Sequence, residues 1–346
     1  MTLQLLDDNF NTVGLLNPIN IQWNRKYYEA GTFSIQIKST EYVSTAKYLY
    51  NNERPEIGLI QKVQLTENIK GKFIQLSGFF AEKLLDDKIL YPTAYGNGNI
   101  ETVLRGIFTD YKDDIPNLYL GEVNNVGSSV QFQATGDFMG SKFYELLNLQ
   151  GLSYKCAYDY LTNKINFSIW QGKDRTQSQN TNSFIIFSTE FNNISNIDIT
   201  TDESNYRNYA VVGGSGEGDE RIYVTVDLSN GGYKKKIFLD KKSIRYDQEE
   251  QTLAEYKAEL ETEGKKEMLK YQLQNNIDID TKNSGYEYMV DYDLGDKCDI
   301  IISDLNLSLE ARIIEIYEVL KENTHTIELI LGDKKITNYE KARLTK

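Results

Sequence analysis

The hexapeptide Thr32-Phe33-Ser34-Ile35-Gln36-Ile37 limits what this chain can become more than any other segment. Phe33, Ile35 and Ile37 project to one side, and Thr32, Ser34 and Gln36 to the other. A period of two belongs to a strand with one face on a core and the other in water. The preceding run, Trp23-Asn24-Arg25-Lys26-Tyr27-Tyr28-Glu29-Ala30, enters that strand through Gly31 and reads as a polar-aromatic approach to it. No group in this stretch is placed for chemistry. It predicts a sheet that packs against a neighbour.

Short strands continue to about residue 90, at 33–37, 62–66 and 73–77, with a helical turn near 42–50. Residues 68–72 turn the last hairpin, where Gly71 can supply a positive φ. Pro55, Pro92 and Pro116 fall in loops, where a missing amide costs little. Residues 1–92 are therefore read as an N-terminal β domain. An α+β domain is inserted at 93–188. In it Asn99 caps a helix with Ile100, Val103, Leu104, Ile107, Phe108 and Tyr111 on one stripe. Asp137 caps a second helix with Met139, Phe143, Leu146 and Leu147 inward, and strands follow at 152–158, 165–170 and 184–187.

Residues 189–245 together with 285–335 read as a second β domain, with strands at 209–212, 222–228, 286–290, 297–303, 311–318 and 324–331. Between them, 246–284 is a helical insertion. Its long polar helix, 249–271, carries Leu253, Tyr256, Leu260, Met268 and Leu269, and Gly264 is placed to kink it. A basic tail follows residue 335 and is expected to fray. The fold class is α+β, mostly β.

Composition narrows the function. The 346 residues hold 51 acids against 38 Lys and Arg, a net charge of −13. Such a surface repels DNA, RNA and anionic membranes, so no sequence-specific nucleic-acid binding and no membrane partner is expected. No stretch approaches the roughly 18 apolar residues that span a bilayer. The first residues lack the basic start and apolar core of a secretory signal, which predicts folding in a cytoplasm. Tyr is frequent, at 25, and suits large wet interfaces with its apolar body and polar tip. Cys156 and Cys298 read as buried thiols inside strands; a disulfide between them stays open at this point.

Each motif that could carry chemistry has a plainer account. Gly213-Gly214-Ser215-Gly216-Glu217-Gly218 follows a strand, but Arg221 and another strand come next, so no helix N-terminus awaits a phosphate. It reads as a flexible hairpin tip. His325 is the sole histidine and lies in an alternating strand, which leaves no multi-histidine metal centre. Asp291, Asp293 and Asp296 depart from calcium-loop spacing and read as an acidic turn. In Trp170-Gln171-Gly172-Lys173-Asp174-Arg175-Thr176, Gly172 makes a turn and Asp174 accepts from nearby amides. No enzyme, metal or cofactor emerges.

As a set, these segments resemble the siphovirus tail proteins of the ReqiPepy type. Trp23 to Ile37, with Gly31 and Phe33, is similar to that family's N-terminal signature. Leu76-Ser77-Gly78-Phe79-Phe80 and Leu84-Leu85 follow in order, then Gly172, Asp174, Arg175 and Thr176 in a Gly-x-Asp-Arg-Thr turn. Asn205-Tyr206-Arg207-Asn208-Tyr209 precedes Gly216, Gly218 and Arg221. Tyr292-Asp293-Leu294-Gly295-Asp296-Lys297, Ala311-Arg312-Ile313 and Leu331-Gly332-Asp333 resemble the closing β module of tail hubs.

The resemblance implies two tube-like β-barrel or sandwich domains with the α+β domain inserted and one long helix. It implies a homotrimeric hub at the distal tip of a virion tail, assembled in the host cytoplasm. Three subunits would make a pseudo-sixfold ring between the tail tube or distal tail protein and a tip spike, fibre or lysin. The tape-measure protein would be a further partner, and an acidic lumen would let DNA slide. Related proteins carry a C-terminal peptidoglycan-cleaving extension, which is not expected within this sequence. Two other readings are a carbohydrate-binding module, since Tyr and Trp stack on sugars, and a two-carboxylate hydrolase, for which no acid pair stands out.

Overall fold

The computed structural model describes residues 3–332 except 250, 273, 282–284, 304–306 and 322–323. The basic tail expected beyond 335 lies outside the described residues. Seven strands come first: β1 (Leu3–Leu6), β2 (Thr12–Leu16), β3 (Asn20–Lys26), β4 (Thr32–Lys38), β5 (Tyr48–Asn51), β6 (Ile57–Asn68) and β7 (Gly71–Phe80). In β3 and β4 every second residue is buried and those between are half-buried, apart from exposed Lys38 at the end of β4. Trp23 is thus mid-strand and fully buried rather than part of a polar approach, and Tyr27 beyond it is buried as well. Arg25 disguised the pattern: it takes an inward position among Ile21 and Trp23 because acids neutralise it there.

The helical turn expected near 42–50 is replaced by a 3₁₀ turn at Ser39–Glu41 and by β5. Pairing of β5 with both β1 and β6 overrides local preference there. The β6–β7 hairpin turns through Ile69 and Lys70, with Gly71 at φ +128° and the Asn68 side chain accepting from the Lys70 amide at 2.8 Å.

The α+β unit comprises β8 (Ala94–Asn99), α1 (Ile100–Tyr111), β9 (Leu118–Leu120), β10 (Ser129–Ala134), α2 (Met139–Asn148), β11 (Ser153–Asp159) and β12 (Lys164–Trp170). β8 pairs with β10, and β12 lies between antiparallel β11 and parallel β9. Asn99 caps α1 by accepting from the Thr102 amide at 3.2 Å. Asp137 does not cap α2; Phe138 holds that position without a side-chain bond. The duty passes to Asp86, which accepts from the Ser141 amide at 2.7 Å and its hydroxyl at 3.0 Å. Phe108 and Phe167 stack at 4.4 Å in the core below.

Next come β13 (Ile186–Ser188), β14 (Ile194–Asp202), β15 (Tyr209–Gly213), β16 (Tyr223–Asp227), β17 (Lys236–Asp240), α3 (Leu253–Met268), β18 (Gln274–Thr281), β19 (Lys297–Ile302), β20 (Leu307–Lys321) and β21 (Thr324–Gly332). A capping box of Thr252 and Glu255 starts α3. Gly264 does not kink this helix. A Cβ there would lie 2.6 Å from Val212 Cγ2, so the glycine lets α3 lie close on the β16–β15–β17 sheet. The strand expected at 286–290 is absent, because Met289 takes φ +67° and its amide turns back to the Tyr292 carbonyl.

The main sheet runs β14-β18-β21-β20-β3-β4-β7-β6-β5-β1-β2, with β19 joining β20 and β13 joining β19. Strands from the beginning and end of the chain meet where β3 pairs antiparallel with β20, from Lys26 opposite Glu315 to Asn20 opposite Lys321. The molecule is mostly β. Cys156 and Cys298 are both buried free thiols, in β11 and β19.

Candidate functional site

The motif residues gather in three places rather than one. At the first, Trp23 packs against Phe33 and Phe80, with ring centroids 6.1 and 4.6 Å apart. Gly31 admits the Phe80 ring, and Gly78 lies where a Cβ would come 1.8 Å from the Leu59 carbonyl, beside the β6 bulge. This is core.

The second place is a seam joining the loop after β12 to the loop before β19. Asp296 is buried and accepts from the Lys173 amide at 2.7 Å, the Asp293 amide at 3.1 Å and Arg175 Nε at 2.6 Å. Asp174 closes its own turn by accepting from the Thr176 amide and hydroxyl, at 3.0 and 2.7 Å. Thr176 is fully buried. Gly172 and Gly295 touch backbone to backbone, since a Cβ on Gly172 would sit 1.9 Å from the Gly295 oxygen. Tyr27 lies edge-on to Trp170 beneath them and donates to the Gly151 carbonyl at 3.1 Å. Burial pushes its hydroxyl up to about 12, so it stays a donor.

The third place is the glycine-rich loop. Arg221 folds back onto the Gly213 and Gly214 carbonyls and onto Asp240. Tyr256 accepts from the Ser215 amide at 2.7 Å. The loop, with Gly216 at φ +97° and Gly218 at φ +53°, is thus tied down at several points, unlike the free hairpin tip expected. Asn208 closes the base of the same sheet, accepting from the Lys235 amide and donating to the Tyr233 carbonyl. Gly332 stands apart from all three, at φ +121° opposite Asn276.

Two features have no motif to announce them. One is a charge network between the first and last strands. Arg25 is bonded to Glu56, Asp293 and Tyr288, while Arg54 makes a two-pronged contact with Glu318 at 2.6 and 3.1 Å. His325 reaches the same Glu318 at 2.8 Å. Glu318 is 1 % exposed, so the Arg54 guanidinium and the His325 ring take the place of its water.

The other feature is an acidic sheet face. Asp198 lies directly opposite Asp278, and Asp280 opposite Glu328. Glu315 continues the first row beyond Ile330. The opposite face of these strands is apolar core, with Ile277, Ile279, Leu329 and Leu331 buried. Burial, then Asp280, Asp278 and Glu315, raise the pKa of Glu328. These acids therefore crowd Glu328 electrostatically. The −13 total showed an excess of acids; only strand register shows five on one face.

The mixed main sheet, the two-helix α+β unit and the helix-backed sheet β16-β15-β17 define a phage tail-protein fold. The tail protein from Neisseria meningitidis MC58 shares it at 12% identity, a TM-score of 0.61 and 95% of each chain covered. The 43 kDa tail protein of prophage MuSo2 from Shewanella oneidensis matches at 12% identity and TM-score 0.61, over 96% of this chain and 98% of that one. Prophage tail protein gp18 from Listeria monocytogenes EGD-e matches at 13% identity and TM-score 0.60, over 100% and 98%. None of the curated proteins matches the sequence. Residues 2–333 match the family described as Siphovirus ReqiPepy6 Gp37-like protein, and the chain belongs to that family.

Proposed function

We propose that this chain is a structural, non-enzymatic subunit of the hub at the distal end of a phage or phage-like tail. Three copies close into a ring that continues the tail tube on one side and receives a tip spike or fibre on the other. The acidic face of the main sheet lines the channel, and DNA slides past it without adhering. The observation that carries this reading is the cross-strand opposition of Asp198 with Asp278 and of Asp280 with Glu328. Like charges so placed cost stability, and a wall that must not hold a polyanion gives them a use. Family membership and the tail-protein fold support the same setting.

Light scattering across a concentration series tests the assembly, with three times 39.8 kDa expected. Replacing Asp198, Asp280 and Glu328 by Lys is expected to leave tails assembled but to slow DNA delivery. A ring whose channel is electropositive, or which carries these acids on its outer rim, refutes the reading.

A second reading, glycan binding at a tail tip, has one observation behind it. Tyr223 and Phe238 are exposed on the three-stranded sheet that carries α3. Calorimetric titration with cell-wall glycans decides it: no heat with wild-type protein, or unchanged affinity in Tyr223→Ala, removes it.

A further inference from the structure

Where the α+β unit meets the main sheet, the chain forms a partly open cavity of about 90 Å³. The seam around it is backbone as well as side chain: Glu56 bridges to Ala157, and the Tyr158 amide donates to the Pro55 carbonyl at 2.8 Å. Three carboxylates line it: Asp293, which is paired with Arg25, and two more deeply buried ones, Glu56 from the sheet side and Glu82 just after β7, at 8 % and 7 % exposure. One oxygen of each glutamate is satisfied. Glu56 Oε1 takes Arg25 Nε, and Glu82 Oε1 takes the Cys156 amide at 2.9 Å. The other oxygen of each, Oε2, is buried without a hydrogen-bond partner.

The charges nearby do not balance a second carboxylate. Arg25 is already divided between Glu56 and Asp293. Lys26 also lines the cavity, but its ammonium is held by Glu29 and Glu315; Lys155 lies over the Trp170 ring. From α2 and β11, Tyr144, Tyr154 and Cys156 face Glu82, and burial keeps all three neutral. Arg25 acts on Glu82 through space, while its hydrogen bonds go to Glu56, Asp293 and Tyr288.

We propose that this cavity is a proton site: Glu82 carries a proton on its unpartnered oxygen, and releasing it adds a second, uncompensated carboxylate beside Glu56 and loosens the α+β unit from the main sheet. Burial, the largest cause, and the charge of Glu56 hold Glu82 up to about 7 against the opposing Cys156 amide, its own amide and the charge of Arg25. Its folded pKa is raised above the usual 4.5, so the bound proton contributes stability that is complete below about 4.5. That contribution is lost as pH rises through about 7.

Hydrogen exchange of the full chain, corrected for intrinsic rates, tests the proposal. Protection of the amides of β11 is expected to fall about tenfold or more between pH values well below and well above 7. Glu82→Gln, which keeps the shape and cannot ionise, is expected to hold the low-pH protection throughout. Equal pH dependence in Glu82→Gln and wild type overturns the proposal, and so does a wild type with none. Infrared titration of the wild-type protein stands independently of whether the variant folds. A buried neutral carboxyl band that disappears with a midpoint near 7 supports the site, and no such band above pH about 6 overturns it.

Discussion

Replacing Asp296 by Asn tests whether the motif seam is held by charge or by shape. The substitution changes volume little but removes the negative charge and turns an acceptor into a donor. Asp296 is 3 % exposed and serves the Lys173 amide, the Asp293 amide and Arg175 Nε. Removing one partner of a buried ion pair typically costs about 3–5 kcal/mol, because the remaining charge is uncompensated. The amide oxygen of Asn keeps one acceptor, which recovers about 1 kcal/mol. A net loss of about 3 kcal/mol follows, which lowers the melting temperature of a chain this long by roughly 4 °C in scanning calorimetry. Arg175→Met alone strands the carboxylate instead and is expected to cost a similar amount. The double variant, with neither charge left, is expected to cost less than the sum by about 2 kcal/mol. An Asn variant within about 0.5 kcal/mol of wild type, with additive singles, would refute the reasoning and leave backbone contact as the seam's main support.

Three further outcomes follow from the same geometry. Gly172→Ala is expected to lower the melting temperature by more than the Asn variant, since its Cβ meets the Gly295 carbonyl, which is backbone and cannot swing away. Asn99→Ala is expected to cost about 1 kcal/mol in urea unfolding, the ordinary value of a lost N-cap. Cys156 and Cys298, their ionisation pushed up by burial, are expected to stay unreactive toward a thiol reagent in native protein and to react on unfolding. Fast labelling of either thiol in the native state contradicts the packing around it.

Family membership was legible in the chain because its motifs fall in order along it, and the family match covers residues 2–333. The roles of those motifs were less legible. Asp174 closes its turn as its position suggests, since the bonds span two residues. Asp296, in contrast, read as part of an acidic turn and proved to be the partner of an arginine 121 positions earlier. Glu82 was indistinguishable from dozens of solvated acids until the cavity and its unpartnered oxygen set it apart.

What the sequence by itself determined is local periodicity. The alternation in β4, the stripe and Asn99 cap of α1 and the Gly71 turn are all written within a few residues, where φ, ψ and side-chain direction are coupled. Tertiary structure decided which strands are neighbours and which charges are neutralised. It turned Trp23 and Arg25 inward, gave the capping of α2 to Asp86 from 55 residues away, and put Asp280 opposite Glu328. The physical reason is that a strand's pattern says which face is apolar but not which edge it will meet. An ionised group states its charge, but not the partner that makes its burial tolerable.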